Sequence, residues 1–159
     1  MKYIYTNNLD NIINVDILCI IGAIQKRLWL KTSIYDYLEG AISSYESGYY
    51  INKDYYPGSN YGYLLLEKAN IQKDIEVRRE LYYQAKSIYR SIIRKCQDCY
   101  TFDEWAAATL STALAVLGDS SQSLKYNDDI IIESKWKKKT HNNQFKRIEE
   151  LLYNIKMSI

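Results

Sequence analysis

The sequence predicts an all-α domain of about six or seven helices, packed as an array of antiparallel pairs. Apolar residues recur at helical spacing almost throughout, and no convincing alternating strand pattern is present. A small residue one turn before a tyrosine recurs along the chain. Ala41 precedes Tyr45 and Ala85 precedes Tyr89, and Ser123 near Tyr126 is a weaker echo, at spacings of 44 and then 38 residues. Those spacings are close to the size of helix-pair repeats. A length of 159 residues suits one domain, residues 1–159, and is long enough to bury a core.

Each element follows from its own pattern. Over 14–31, Ile17, Ile21, Ile24 and Leu28 share one face of a first helix. Over 34–50, Leu38, Ile42, Tyr45 and Tyr49 do the same. The stretch DYYPGSN, 54–60, then interrupts and holds the only proline of the chain. Pro57 fixes φ and pushes Tyr56 toward an extended conformation, while Gly58 can take positive φ, so Pro-Gly fits the centre of a type II turn. Ser59 or Asn60 can cap the short helix expected over 60–69. Leu81, Ala85, Ile88 and Ile92 stripe a helix over 74–99. The alanine-dense EWAAATLSTALAVLG, within 102–117, predicts a central helix that neighbours approach closely, with Gly118 as the C′ residue. Asp119 or Ser120 can cap a helix over 121–133. Phe145, Ile148, Leu152 and Ile155 mark a C-terminal helix over 137–159.

Composition narrows the function. With 47% hydrophobic residues the chain is globular, and a net charge of +2 gives no global electrostatic case for DNA or RNA. The 17 tyrosines supply apolar rings with polar tips, useful in cores and on recognition surfaces, although Ile-, Lys-, Asn- and Tyr-rich usage also follows from an AT-rich genome. The first residues lack the pattern of a signal peptide, and the apolar stretch 17–24 is too short to span a bilayer. Three cysteines, an odd number, argue against a disulfide scaffold. The reading is a soluble cytoplasmic protein with reduced thiols and no membrane partner.

Several residues suggest chemistry, and each has a plain structural alternative. In the 54–60 turn, a helix N-terminus offers free N–H groups to an anion, and Tyr55 and Tyr56 beside it could stack on a base or contact a peptide. The alternative is a rigid turn with a cap. Lys26 and Trp29 neighbour each other on one helix face, so the ammonium could bind phosphate or carboxylate against an aromatic wall. The alternative is a lysine whose stem covers a packed tryptophan. Trp105 and Thr109 lie four apart on the alanine-rich helix, and Thr109 is expected to bond back to a carbonyl one turn earlier. The lone pair Cys96 and Cys99 lacks a second pair at zinc spacing and reads as packing. His141, the only histidine, sits in KWKKKTHNN, a basic segment that reads as an exposed connector. No phosphate-binding loop, dinucleotide glycine pattern or HExxH motif is present, and no cofactor or metal is expected.

Four blocks in order resemble a known family. They are GAIQKRLW with Gly22, Lys26 and Trp29; LEGAISSYESGYY; the turn YYPGSNYGYLLL; and EWAAATLSTALAVLGD. Over roughly 16–126 the chain resembles the TRAFs-binding, tetratricopeptide-like domain of the central regulatory region of the apoptosis signal-regulating kinases and its bacterial relatives. Three positions depart from the family pattern: Ala23 replaces an arginine, Ser59 an isoleucine and Thr112 a glutamate. If those positions line a ligand site, the site here is altered. The chain begins close to the first block, so upstream repeats of longer relatives are expected to be missing.

The resemblance implies binding in place of catalysis. The first expectation is a non-enzymatic signalling, stress or defence module that binds a small anionic, nucleotide-like ligand. Its candidate ligand-binding residues are Lys26, Trp29, Tyr55, Tyr56, Gly58, Asn60, Trp105 and Thr109. The second is a protein-interaction scaffold that grips a peptide or partner subunit on its concave face. The third is an atypical nucleotide-processing enzyme. Oligomerisation stays open.

Overall fold

The computed structural model describes residues 14–129 and 135–159. Seven helices occupy them: α1 (Val15–Thr32), α2 (Tyr35–Asn52), α3 (Tyr55–Ile71), α4 (Ile75–Cys99), α5 (Glu104–Leu117), α6 (Ser120–Asp129) and α7 (Lys135–Lys156). Connections from α1 to α6 are short enough to turn each helix back on its predecessor. The result is three antiparallel pairs, α1–α2, α3–α4 and α5–α6, with α7 laid across α3 and α5.

The expected repeat is the packing device of the first two pairs. A Cβ on Gly22 would come within 2.8 Å of the Tyr45 ring, and one on Gly62 within 2.7 Å of the Tyr89 ring. Each glycine of a first helix therefore receives the tyrosine of the second. Both tyrosines and the alanines one turn before them, Ala41 and Ala85, are buried. In the third pair hydroxyls replace this contact. Ser111 Oγ donates to Ser123 O at 3.1 Å, and Ser123 Oγ donates to Ser111 O at 2.9 Å.

The caps are sequence-encoded. Side chains of Asn14, Asp54, Asp74 and Asp103 accept from first-turn N–H groups of α1, α3, α4 and α5. Asp119 Oδ1 accepts from Gln122 N at 3.1 Å and starts α6. Gly118, at φ 97°, ends α5 as expected, with its own N–H and that of Asp119 returned to α5 carbonyls. Of the helix expected over 121–133, residues 130–133 lie outside the described residues.

Three expectations are corrected. The 54–60 stretch is the first turns of α3 and not a turn between helices. Asp54 is the cap, so Tyr56 is helical, Gly58 has no positive φ, and Ser59 and Asn60 cap nothing. Pro57 fits because a first-turn N–H has no intrahelical acceptor, and the first bond of the ladder is Gly58 N to Asp54 O at 3.1 Å. Gly58 serves close approach: a Cβ there would meet Ile92 at 2.8 Å and Tyr49 at 3.0 Å. Second, the Ile17–Ile21–Ile24 stripe of α1 faces outward, and the packed side carries Cys19, Gly22 and Trp29. Third, KWKKKTHNN is the opening of α7 and not a connector, and His141 within it is buried beside Phe145. Burial lowers the His141 pKa. Both α3 and α5 are central; Pro57 to Glu67 of α3 is buried without interruption.

Candidate functional site

The inner sides of α1, α3 and α5 face one another across the array, and α7 crosses opposite them. Between them lies a cavity of about 620 Å³. Its floor is sequence-determined. Small residues on α1 and α5, Ala23 and Ala108, leave space where larger side chains would fill it. Tyr45, Tyr63, Trp105 and Trp136 supply aromatic wall, with the two tryptophan rings 6.3 Å apart and inclined by 53°.

Lys26 is the centre of the site's polar chemistry. Its Nζ donates to Asn60 Oδ1 at 2.6 Å and to Gln144 Oε1 at 3.4 Å, and lies 5.4 Å from the Tyr63 ring centroid. It thereby joins α1, α3 and α7. Among the described residues no carboxylate pairs with it. Burial, and then the neighbouring Arg27, lower its pKa to about 8. Asn60 is held by its own helix, with Nδ2 donating to Tyr56 O at 3.0 Å, so its oxygen is aimed at the ammonium.

The α7 wall is anchored by ions. Arg147 Nε and Nη2 each reach a Glu67 carboxylate oxygen at 2.9 Å, and Tyr63 OH donates to the same carboxylate at 2.6 Å. Lys137 pairs with Glu104 at 2.9 Å beside Trp105 and Trp136. Arg147 is therefore committed to Glu67, which leaves Lys26 and the exposed Arg27 as the cations facing the cavity without a carboxylate partner among the described residues.

Of the residues predicted from sequence, the structure brings Lys26, Tyr56, Asn60, Trp105 and Thr109 to this one cavity. The other three lie elsewhere. Trp29 belongs to the core. Tyr55 donates its hydroxyl to the Asp103 carboxylate and ties the start of α3 to the start of α5; burial and this bond raise its pKa. Gly58 packs against Tyr49 and Ile92. The expected anion site at the N-terminus of α3 is not formed, because Asp54 caps it and Asp103 stands beside it. The back-bond expected of Thr109 is made by Thr112, to Ala108 O at 3.0 Å.

The three positions that depart from the family pattern, Ala23, Ser59 and Thr112, all line the cavity. Sequence reasoning missed Trp136, His141 and Gln144. Trp136 and His141 sit in the segment read as a connector, and Gln144 follows it on the expected C-terminal helix, where nothing in the spacing marks it as facing Lys26. Among the described residues no cluster of metal-binding side chains occurs, and no helix is long and apolar enough to cross a membrane.

Residues 4–65 match the family model described as Tetratricopeptide Repeats-Sensor. No curated protein and no solved structure matches the chain. The match supports a tetratricopeptide-like family and fits the helix pairs. It covers α1, α2 and the first part of α3, including Lys26 and Asn60. The narrower kinship with the kinase regulatory domain is finer than the match reaches. A tetratricopeptide-like array suggests a protein-interaction scaffold, and repeats of this type are typically non-enzymatic.

Proposed function

We propose that the chain is a non-enzymatic sensor module whose cavity binds a small anionic, nucleotide-like ligand. One observation carries the reading: Lys26, a half-buried ammonium at the cavity, is held by two neutral amide oxygens and no carboxylate among the described residues. A desolvated cation without a counter-charge is unfavourable for folding and gains most from an incoming anion. Arg27 on the next position adds a second cation at the rim. Trp105, Trp136 and Tyr56 offer faces for a base, and Asn60, Thr109 and Gln144 offer polar contacts to sugar or base edges. A volume of about 620 Å³ suits a ligand of nucleotide size.

The altered family positions refine this reading. Ala23 and Thr112 remove a cation and a carboxylate expected in relatives, so the ligand here meets fewer charges and depends more on Lys26.

Trp105 and Trp136 border the cavity, whereas Trp29 is in the core. Tryptophan emission is therefore the direct test. Titration with a panel of mononucleotides, dinucleotides and cyclic oligonucleotides is expected to change emission saturably for at least one, and Trp105→Phe with Trp136→Phe should remove most of the change. Emission that stays constant across the panel rejects the reading.

A second reading is a groove for a peptide. Leu30, Tyr56 and Trp136 line the cavity at 53%, 43% and 64% exposure, an apolar rim wider than a small ligand needs. A peptide's terminal carboxylate would then be the anion that Lys26 receives. Binding of acidic peptides in place of nucleotides would select it.

A further inference from the structure

Helix α1 is apolar on two opposite sides. Cys19, Gly22 and Trp29 face the core. At about 100° per residue, Ile17, Ile20, Ile21 and Ile24 fall diametrically opposite. They are exposed at 55%, 60%, 42% and 51%. Their spacing, i, i+3, i+4, i+7, is that of a helix stripe that packs on another helix. Such a helix, apolar on both sides, belongs in an interior. Yet α1 is the first described helix of the array and α2 is its principal neighbour.

We propose that this face is a self-association surface, in which α1 packs antiparallel against α1 of a second copy about a two-fold axis between Ile20 and Ile21. The stripe is its own mirror under that operation. Ile17 meets Ile24 of the other copy, and Ile20 meets Ile21, so one patch serves both sides, as a closed two-fold interface requires. The charges agree. Asp16 lies in the first turn of α1, and Arg27 lies three turns later on the same flank of the stripe. Antiparallel packing brings like flanks together, so Asp16 of each copy faces Arg27 of the other. The two helix dipoles then also oppose. A parallel arrangement would set unlike flanks together, leave Asp16 and Arg27 without each other and align the two helix dipoles. That complementarity selects a second copy over an unrelated partner and selects its direction.

The test is sedimentation equilibrium of the full chain. The expected mass is twice the 18.7 kDa of one chain. Ile20→Asp with Ile21→Asp should halve it while helical circular dichroism stays unchanged, since both side chains are exposed, and the melting temperature should lose its dependence on protein concentration. Direction is read by disulfide capture. Ile17→Cys and Ile24→Cys should cross-link when mixed and not when alone, against the unsubstituted chain as control for its three native cysteines. A monomer at about 100 μM, well above the Kd of a specific dimer, overturns the proposal. A dimer that survives the aspartates overturns the surface, and self-linking of Ile17→Cys overturns the direction. Loss of helical circular dichroism in the aspartate variant shows the face packed within its own chain, which also overturns it.

Discussion

Arg147 of α7 grips Glu67 of α3 with two parallel hydrogen bonds, both 2.9 Å, across 80 positions of sequence. Glu67 has a side-chain exposure of 2% and Arg147 of 38%. The pair holds the α7 wall of the cavity in place. Removal of the arginine alone leaves a carboxylate in the core. Arg147→Met is expected to destabilise the fold by about 2–3 kcal/mol, below the full cost of a wholly buried pair because Arg147 keeps part of its surface in water. Glu67→Met with Arg147→Met should recover most of that loss. Urea denaturation of the two variants checks both figures.

The glycine–tyrosine contacts give a second prediction. A Cβ at position 62 would stand 2.7 Å from the Tyr89 ring, and that ring is fully buried with its hydroxyl donating to Ser59 O at 3.1 Å. The ring has nowhere to move. Gly62→Ala should cost about 1–3 kcal/mol, despite the better helix propensity of alanine. Thermal unfolding measures it, and Gly118→Ala is a contrasting control in which φ, and not space, is the obstacle.

Much of the fold was legible because local and tertiary signals agree. The stripes of α2 and α4, the Asp119 cap and Gly118 are readable from the sequence pattern. The errors have physical causes. Pro57–Gly58 reads as a turn, but a first-turn proline loses no hydrogen bond, and Gly58 is small for the sake of Ile92 and Tyr49. The α1 stripe faces outward because its other side offers Gly22 to Tyr45, a contact no hydropathy pattern reports. At the site, Lys26, Asn60, Trp105 and Thr109 were legible as family positions. Gln144, His141 and Trp136 were not, because the four blocks end before α7.

Lys26 makes the protein's pH response specific. With its pKa lowered to about 8 from 10.5, the folded chain releases a proton between those values that the unfolded chain keeps. Stability therefore rises with pH across that window, and the cost of the buried charge is fully present below it. Lys26→Met should raise the melting temperature at pH 7, by an amount of roughly 1–3 kcal/mol in stability. The gap between the two proteins should shrink from pH 8 to pH 10.5. Calorimetry of both chains across that range reads the difference, in which the other titrating groups cancel.

Alkali should unfold the chain cooperatively. Burial raises the pKa of the Tyr45, Tyr63 and Tyr89 phenols, and it pushes the Cys96 thiol up to about 12. A raised folded-state pKa gives stability that is present below the ordinary value and lost as pH rises beyond it. Phenolate absorbance of the buried rings should therefore appear in a steep step that coincides with loss of helical circular dichroism. A single smooth titration with helix retained would contradict the burial of these rings.

The most direct measurement is thermal shift of the chain and of Lys26→Met against nucleotides, dinucleotide derivatives and cyclic oligonucleotides. At about 100 times its Kd a ligand of the cavity stabilises the native state by about 2.7 kcal/mol. The expected result is at least one such ligand, with a shift that weakens as pH rises through 8 and is absent in Lys26→Met. A screen without any shift, or a shift unchanged in the variant, would contradict an anion site built on Lys26.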